Sequence, residues 1–485
     1  MASGTQALSV FSRCVPARLQ LRCGKSRRSS RRANLSMCER VMPKGANPSI
    51  WMAEWNAIHS TTAISNADLP AHASADIAVV GAGLTGLALA YRLAVAGRSV
   101  IVLEADRVGS GASLRNAGFC TASAPLDAST ILRRWGTRAG LSILRWFYDA
   151  PSAVRNLLLE LDEDAGWTPS TRLVLARTPA DSHRLHHEAQ TLRQVLGRDV
   201  RYVPAPEVPK HIGFGRFEGA LRDEDSACVN PARLLAALMR GCLSAGARIF
   251  ERAPVVSYTR STKGFYSLQH NDGIVEANQI IFATQGDVSA LGMGQRRLAI
   301  PVGSFIAATL PLGAEERARL APASTVFSTS SRFPNYFRLS EDGRLLFGGR
   351  RSLALQASPD RIAAELLADL QRVLPGLDYE FDRCWGGQLS FTVDRMPLAG
   401  QLGENVYFLG GYCGHGVPTS IACANDLSRL LIDPQAQVPE FFRNHLAPSL
   451  HPRAATFFLP AISAYYRARD HLDELRVSQH ERGIE

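Results

Sequence analysis

The sequence predicts an α/β protein built from two interleaved lobes, one that binds a dinucleotide and one that is richer in strands. Three observations predict it. Residues 76–104 form a βαβ unit around a glycine fingerprint, and a second glycine-rich region occupies 385–418. Between them, strand–helix stretches of nucleotide-binding type alternate with strand-rich stretches. A chain that leaves one lobe and returns to it places a ligand cleft between the two.

The βαβ unit opens with the apolar run Ile77–Val80, a buried strand. The turn Gly81-Ala82-Gly83-Leu84-Thr85-Gly86 follows, then a helix from about Leu84 to Ala96 that Gly97 stops. Gly81 allows the tight turn, Gly83 lets the backbone approach a pyrophosphate, and Gly86 lets helix and strand pack closely. The helix N-terminus offers unpaired N–H groups and a positive dipole end to phosphates. Val100–Leu103 forms the second strand, closed by Glu104 and Ala105. Glu104 stands where an acid accepts hydrogen bonds from a ribose 2′-OH, and its charge would repel the 2′-phosphate of NADP. This is a Rossmann-like unit. The fingerprint alone leaves NAD and FAD open.

Further along, the pattern predicts helices over about 126–161, 180–196, 232–245 and 359–373. Strands are expected at 173–176, 247–250, 255–258, 280–283 and 301–310. Hairpins are expected around Asn271-Asp272-Gly273 and Glu341-Asp342-Gly343. The expected organisation is a leader at 1–45, a linker or arm at 46–75, an oxidoreductase-sized body at 76–440 and a helical tail at 441–485. Within the body, 76–124, 223–300 and 381–435 are assigned to the nucleotide lobe, and 125–222 and 301–380 to the other.

The 485 residues are 46% hydrophobic, ample for a large core. The formal net charge is +10, but residues 1–45 hold ten Lys and Arg against the single acid Glu39, so that segment carries nearly all of it. A nucleic-acid surface on the globular part is therefore not expected. The leader is Arg- and Ser-rich, includes Lys25–Arg32, and lacks the apolar core of a secretory signal. It reads as an organelle transit peptide, with plastid ahead of mitochondrion; a basic tail retained in the cytosol is the alternative. Nine cysteines are scattered without a Cys-x-x-Cys, which gives neither a disulfide framework nor a zinc pattern. His183, His186 and His187 share a helix face, but no acid or cysteine pattern supports them, so no metal is expected. The longest near-apolar stretch, Ile77–Tyr91, is too short for a membrane span.

The second glycine-rich region narrows the reading. Thr392-Val393-Asp394 with Pro397 and Gly400 is followed by Gly410-Gly411-Tyr412-Cys413-Gly414-His415-Gly416-Val417. Upstream stands Gly109-Ser110-Gly111-Ala112-Ser113-Leu114-Arg115-Asn116-Ala117-Gly118. With these motifs in this order, the chain resembles the D-amino-acid oxidase (DAO) family of FAD-dependent oxidoreductases across about 75–440. Trp385-Gly386-Gly387, the 336–349 hairpin and Ala464–Asp470 make it most similar to the gamma-glutamylputrescine oxidase-like branch. The resemblance implies noncovalent FAD in a DAO-type, two-lobed fold: an FAD-binding lobe and a β-rich α+β substrate lobe. The implied FAD contacts are Gly81, Ala82, Gly83, Leu84, Thr85, Gly86, Glu104, Ala105, Gly111, Ala112, Ser113, Arg115, Asn116, Gly118, Val255, Ala283, Thr284, Gly410, Gly411, Gly414, His415, Gly416 and Val417.

The chemistry implied is oxidation of an amine or N-substituted amino acid at the carbon next to nitrogen. Hydride passes to flavin and the resulting imine is hydrolysed; oxygen or another acceptor then takes the electrons. His415, Arg338 and Tyr336 are the expected catalytic residues. His415 either adjoins the flavin or only fixes its own turn, and Arg338 either faces substrate or is an exposed strand arginine. Arg115 and Asn116 are expected to secure the FAD loop, and Cys413 to fill its turn. Leu389-Ser390 stand where glycine- and sarcosine-type relatives carry Arg-Pro, which disfavours an α-amino acid. The flavin-tethering cysteine of monomeric sarcosine oxidases corresponds to about Gly387, with Cys384 three residues away. The alternatives are an NAD-dependent dehydrogenase, an FAD-dependent dehydrogenase or hydroxylase of a non-amine substrate, and a flavin-binding protein without amine turnover.

Overall fold

The computed structural model describes residues 48–62, 70–271, 273–285, 299–321, 324–349 and 358–439, with 461, 464, 465, 468 and 469 beyond them. The basic leader, the turn residue Asp272 and nearly all of the expected C-terminal tail lie outside the described residues.

Two sheets organise the protein. In the first, the strands run side by side as Leu398–Gly403, Val406–Gly410, Gly273–Phe282, His72–Val80, Val100–Leu103 and Arg248–Phe250. The pairings from Val406–Gly410 across to Arg248–Phe250 are all parallel. Parallel strands are covered on both faces, which is why their sequences are continuously apolar. Alternation splits them between two cores. Ile77 and Val79 pack with Leu87, Leu234 and Ile421 from the helices Leu84–Val95, Pro231–Ser244 and Gly416–Ile432. Ala78 and Val80 pack with Leu103, Phe282, Phe408 and Leu268 on the opposite face. The hairpin of Tyr266–His270 with Gly273–Phe282 forms as the Asn271–Gly273 signal implies.

Among the described residues the second sheet has nine strands: Phe381–Phe391, Ile300–Pro311, Arg344–Gly349, Tyr336–Leu339, Thr325–Thr329, Thr168–Leu175, Gly219–Cys228 and Phe119–Cys120 in order, with Arg201–Pro204 beside Gly219–Cys228. Phe305, Ala307, Phe337 and Phe347 point to one face, where Ile362, Leu366, Leu370 and Val373 of the helix Pro359–Val373 cover them. Their neighbours Ile306, Ala308, Leu346 and Trp385 point the other way, into the core shared with the first sheet's helices. Ser304, Tyr336, Arg338, Gly387 and Leu389 lie on this second face by the two-residue period of a strand.

Phe381–Phe391, Phe119–Cys120 and Gly219–Cys228 were assigned wholly or partly to the nucleotide lobe, yet all three pair within the second sheet. The expected linker or arm at 46–75 contains the helix Trp51–Thr61, and the first strand starts at His72. Trp55 is only 1% exposed, and Glu54 Oε1 accepts from Arg233 Nε at 2.6 Å while Glu54 Oε2 accepts from Asn230 Nδ2 at 2.7 Å. This arm is part of the folded body.

The long helix Ala128–Leu161 breaks its helical geometry at Gly136 and packs on Gly416–Ile432. Both carboxylate oxygens of the buried Glu188 accept from Ala128 N, at 2.9 and 3.0 Å. Burial pushes the Glu188 carboxyl up from 4.5 to about 7, against the opposing pull of the Ala128 amide. The folded state then holds a proton that the unfolded chain releases near its ordinary value, so this group's contribution falls as pH rises from about 4.5 to 7. Glu188→Gln should remove a pH-dependent penalty of about 2–3 kcal/mol. Chemical denaturation at pH 5 and pH 7.5 checks this: the variant should lose less stability across that interval than wild type, and equal losses would contradict it.

Candidate flavin site

The site begins at the glycine turn, where three backbone segments touch. Gly81 N donates to Leu103 O at 2.8 Å, and Ala283 N donates to Val80 O at 2.8 Å. Gly81 has φ +105°, and a Cβ there would lie 2.8 Å from Ala283 O. A Cβ on Gly86 would lie 1.9 Å from Gly81 O, so no side chain fits. Helix Leu84–Val95 therefore starts directly against the strand ends, with Ala82 fully buried beneath the turn. Glu104 caps the turn from the other side. Its Oε2 accepts from Ala82 N at 2.8 Å and its Oε1 from Asp106 N at 3.1 Å. Burial raises the Glu104 carboxyl's pKa, and the two amides counter that rise. Ala253 N donates to Glu104 O, which brings the 253–255 loop, with Val255 half-buried, beside the acid and the exposed Ala105.

The segment Gly109–Gly118 closes onto this helix start. Ser113 Oγ accepts from Leu84 N at 3.0 Å, and a Cβ on Gly83 would lie 2.9 Å from the same hydroxyl. Asn116 ties the loop to itself: Nδ2 donates to Ser113 O at 2.7 Å, and Oδ1 accepts from Gly118 N at 2.8 Å. Arg115 Nε donates to Ser110 O and Nη1 to Gly386 O. Both residues tie the loop. Gly111 has open space around its Cβ position and Ala112 is half-buried.

The second glycine turn meets the first. Gly410 ends its strand where a Cβ would lie 3.5 Å from the Cα of Gln285, just past Ala283 and Thr284. Gly411 and Gly414 have φ +71° and +97°, conformations that glycine adopts freely. Tyr412, between them, is buried and its hydroxyl lies 2.9 Å from Thr85 Oγ1, joining the two turns. Cys413 is buried, its Sγ 3.4 Å from Thr392 Oγ1. His415 caps the helix Gly416–Ile432 through its carbonyl, which accepts from Thr419 Oγ1 at 2.6 Å. Val417 is buried in the first turn of that helix. Two helix N-termini thus converge on one region, each preceded by a glycine turn.

The second sheet's inner face contributes the opposite wall. Tyr336 is half-buried, its hydroxyl 3.0 Å from Ser304 Oγ and its ring edge-on to Phe119. Gly387 lies against Arg115, whose Cβ is 3.2 Å from where a Cβ of Gly387 would stand. Arg338 is not the substrate-facing residue expected. It is 6% exposed, and its guanidinium donates to Ala117 O at 2.6 Å, Val229 O at 3.2 Å and Leu339 O at 3.2 Å. All three of its nitrogens are engaged by backbone carbonyls, so Arg338 is a clamp on the loop. Cys384 points into the opposite core, where burial pushes its thiol up to about 11. His186 stacks on Tyr202, and among the described residues no group of three His, Cys, Asp or Glu could hold a metal.

Sequence reasoning missed several contributors: Ser49, Trp51, Trp385 and the Thr85–Tyr412 bond. Trp51 and Trp55, four residues apart with Ile58 following, carried a helical signal within a polar stretch.

These residues fit a dinucleotide. Thr284 Oγ1 is buried without a hydrogen-bond partner among the described residues, at the meeting point of the two turns. Gly81, Gly83 and Gly86 exclude side chains where a phosphate needs close approach. A Rossmann-type unit joined to a second glycine turn and an opposing sheet defines a flavin-dependent oxidoreductase. The chain belongs to the FAD dependent oxidoreductase (DAO) family, whose sequence profile matches residues 76–430. Its cofactor is FAD.

Relatives span most of the chain. Gamma-glutamylputrescine oxidoreductase of Escherichia coli (strain K12) is 28% identical over 404 residues, 82% of this chain and 93% of the relative. A probable oxidoreductase OrdL of Rhizobium meliloti (strain 1021) is 29% identical over 373 residues, 75% of this chain and 84% of the relative. In solved structures, glycine oxidase from Geobacillus kaustophilus has the same fold, with TM-score 0.65 and 21% identity, covering 78% of this chain and all of that one. L-proline dehydrogenase from P. horikoshii matches at TM-score 0.65 and 16% identity, covering 79% of this chain and 99% of that one.

Glu104→Ala should weaken FAD binding about 10- to 150-fold, because a charge-assisted acceptor for the ribose and the cap on Ala82 N are both lost. Gly83→Val should do more, expelling the Ser113 hydroxyl from Leu84 N and leaving the protein largely apo. Titration of apoprotein with FAD, followed by flavin fluorescence, measures both. Wild-type affinity in both variants would place the pyrophosphate elsewhere.

Proposed function

We propose that the protein oxidises the C–N bond of an amine or N-substituted amino acid, and that the imine formed is hydrolysed. The observation that carries this reading is the bond of the Gly410–Val417 turn to the strand bearing Gly387 and Leu389, where Cys413 N donates to Ser390 O at 3.1 Å. Bound FAD supplies the two-electron, hydride-accepting chemistry. The chain's own part is to hold and orient. The two helix N-termini and the glycine-turn amides stabilise negative charge on the cofactor. The hydroxyl pair of Tyr336 and Ser304 offers the substrate one donor and one acceptor, and the surrounding apolar face excludes water. His415, the N-cap of the helix Gly416–Ile432, would lie beside the ring rather than at the phosphates.

Relatives named for gamma-glutamylputrescine and glycine support an amine or amino-acid substrate. Leu389, on the inner face, provides no charge for a carboxylate, which supports an amine without a carboxyl group on the reacting carbon. Cys384, protonated and turned into the opposite core, supports a noncovalent cofactor. The arginine- and serine-rich leader supports delivery to an organelle, with plastid ahead of mitochondrion. Oxygen or another acceptor takes the electrons; no helix of the described residues is long and apolar enough to cross a membrane.

Anaerobic mixing of the yellow holoenzyme with primary amines, N-alkyl amines, sarcosine, glycine and D-amino acids tests the reading. An amine lacking an α-carboxylate should bleach the visible flavin absorbance at lower concentration than glycine or sarcosine. Bleaching by NADPH alone, with every amine inert, would favour a hydroxylase. His415→Ala should keep its FAD and slow bleaching at least about tenfold, a loss of roughly 1.4 kcal/mol of transition-state stabilisation. Wild-type bleaching in that variant would confine His415 to a capping role.

A further inference from the structure

Four successive backbone carbonyls of the FAD loop are each held by a side chain from a distant part of the chain. Ser49 Oγ donates to Leu114 O at 2.6 Å, Trp385 Nε1 to Arg115 O at 3.1 Å, Trp51 Nε1 to Asn116 O at 2.9 Å, and Arg338 Nε to Ala117 O at 2.6 Å. Two of the four donors precede residue 76, where the family match begins. Ser49 and Trp51 are 1% and 7% exposed, so these bonds are made away from water, where an unmet carbonyl is costly. The Arg338 guanidinium also lies over the Trp51 ring, 5.7 Å from its centroid, coupling two of the holders. At Gly118 a Cβ would strike Val229 O at 2.1 Å and Arg338 Nη2 at 2.7 Å, so the loop's far end has no slack either.

The helix that carries Trp51 is anchored through residues outside Gly109–Gly118. Glu54 binds Arg233 and Asn230, and His59 Nε2 lies 2.8 Å from Glu251 Oε1, which also accepts from Val108 N. His59 Nδ1 lies 3.0 Å from Arg107 Nη2, just before the loop. The anchors fix the helix to the body, and Ser49 and Trp51 pass that fixity to the loop.

We propose that Ser49 and Trp51 are cofactor-positioning residues: the segment before the family domain straps the Gly109–Gly118 loop over FAD. A carbonyl held outward fixes the peptide plane. Ser113, whose hydroxyl meets Leu84 N, then stays at the helix start where the pyrophosphate binds. Without the strap, the loop opens and FAD leaves faster. The proposal also requires that removal of the basic leader stop before Ser49. It rests on the flavin site described above, and wild-type protein that takes up no FAD would overturn that site rather than the strap.

The test uses full-length protein. Trp51→Phe keeps the ring against Arg338 and removes only the donor to Asn116 O; Ser49→Ala removes the donor to Leu114 O. Each should raise the FAD Kd about 5- to 30-fold, mostly through faster FAD release, while the apoprotein melts within about 2 °C of wild type. Glu54→Gln loosens the helix anchor without touching the loop, so it should lower the apoprotein's melting temperature more than it alters FAD release. Unchanged FAD affinity and release in Trp51→Phe and Ser49→Ala would overturn the proposal. So would losses of affinity that track apoprotein melting equally in all three variants, since these mark a merely structural role. A mature, yellow chain that begins after Trp51 would also overturn it.

Discussion

Everything in this structure is arranged around one contact between two backbones. At Gly86 a methyl group would lie 1.9 Å from Gly81 O, so helix and strand meet with no side chain between them. Gly81 can take φ +105° only because it too lacks a Cβ, and the end of a third strand, Ala283, closes against it. From that contact the rest follows. The helix N-terminus is pushed up to the strand ends, and its first amide, Leu84 N, donates to the Ser113 hydroxyl. Glu104 is brought within reach of Ala82 N, and Thr85 within reach of Tyr412 from the second glycine turn. Polar bonds buried in this way are strong when complete and costly when one partner is missing, which makes the site a single cooperative unit.

The lobes divide the work through the alternation of one sheet. Phe305, Ala307, Phe337 and Cys384 turn away from the cofactor side and build a separate core with the helix Pro359–Val373. The residues between them in sequence, including Ser304, Tyr336, Arg338, Trp385 and Gly387, face the flavin lobe. A shift of one residue in register would exchange the two sets. The pairing of Ser304 with Gly387 and of Ile306 with Trp385 therefore matters as much for function as any single side chain. Gly348, paired with Ile306 on one side and Tyr336 on the other, brings Tyr336 near Ser304, and Gly387 leaves room for Arg115.

The flavin-binding half was legible in the sequence because its constraints are steric and local. Glycines at 81, 83 and 86, an acid at 104 and the turn 410–416 each answer a need that few other residues meet. Three features were harder to read. The strand Phe381–Phe391 is apolar and glycine-containing like its neighbours, and nothing local says which sheet it joins; only its ladder with Ile300–Pro311 decides. Arg338 looked like a substrate ligand because a strand arginine carries no mark of its partners, and its partners are carbonyls far away in sequence. The helix Trp51–Thr61 hid in a polar stretch, since only Trp51, Trp55 and Ile58 show its period. What sequence could not supply was in each case a long-range pairing.

Hydrogen–deuterium exchange on apoprotein and FAD-loaded protein tests the central claim most directly, that one cooperative unit of two glycine turns and a closing loop surrounds the cofactor. Peptides covering 81–87, 109–118 and 410–417 should gain protection together on FAD binding, while the core under Pro359–Val373 exchanges alike in both states. Protection that appears in other segments, or in one of these three without the others, would contradict the account.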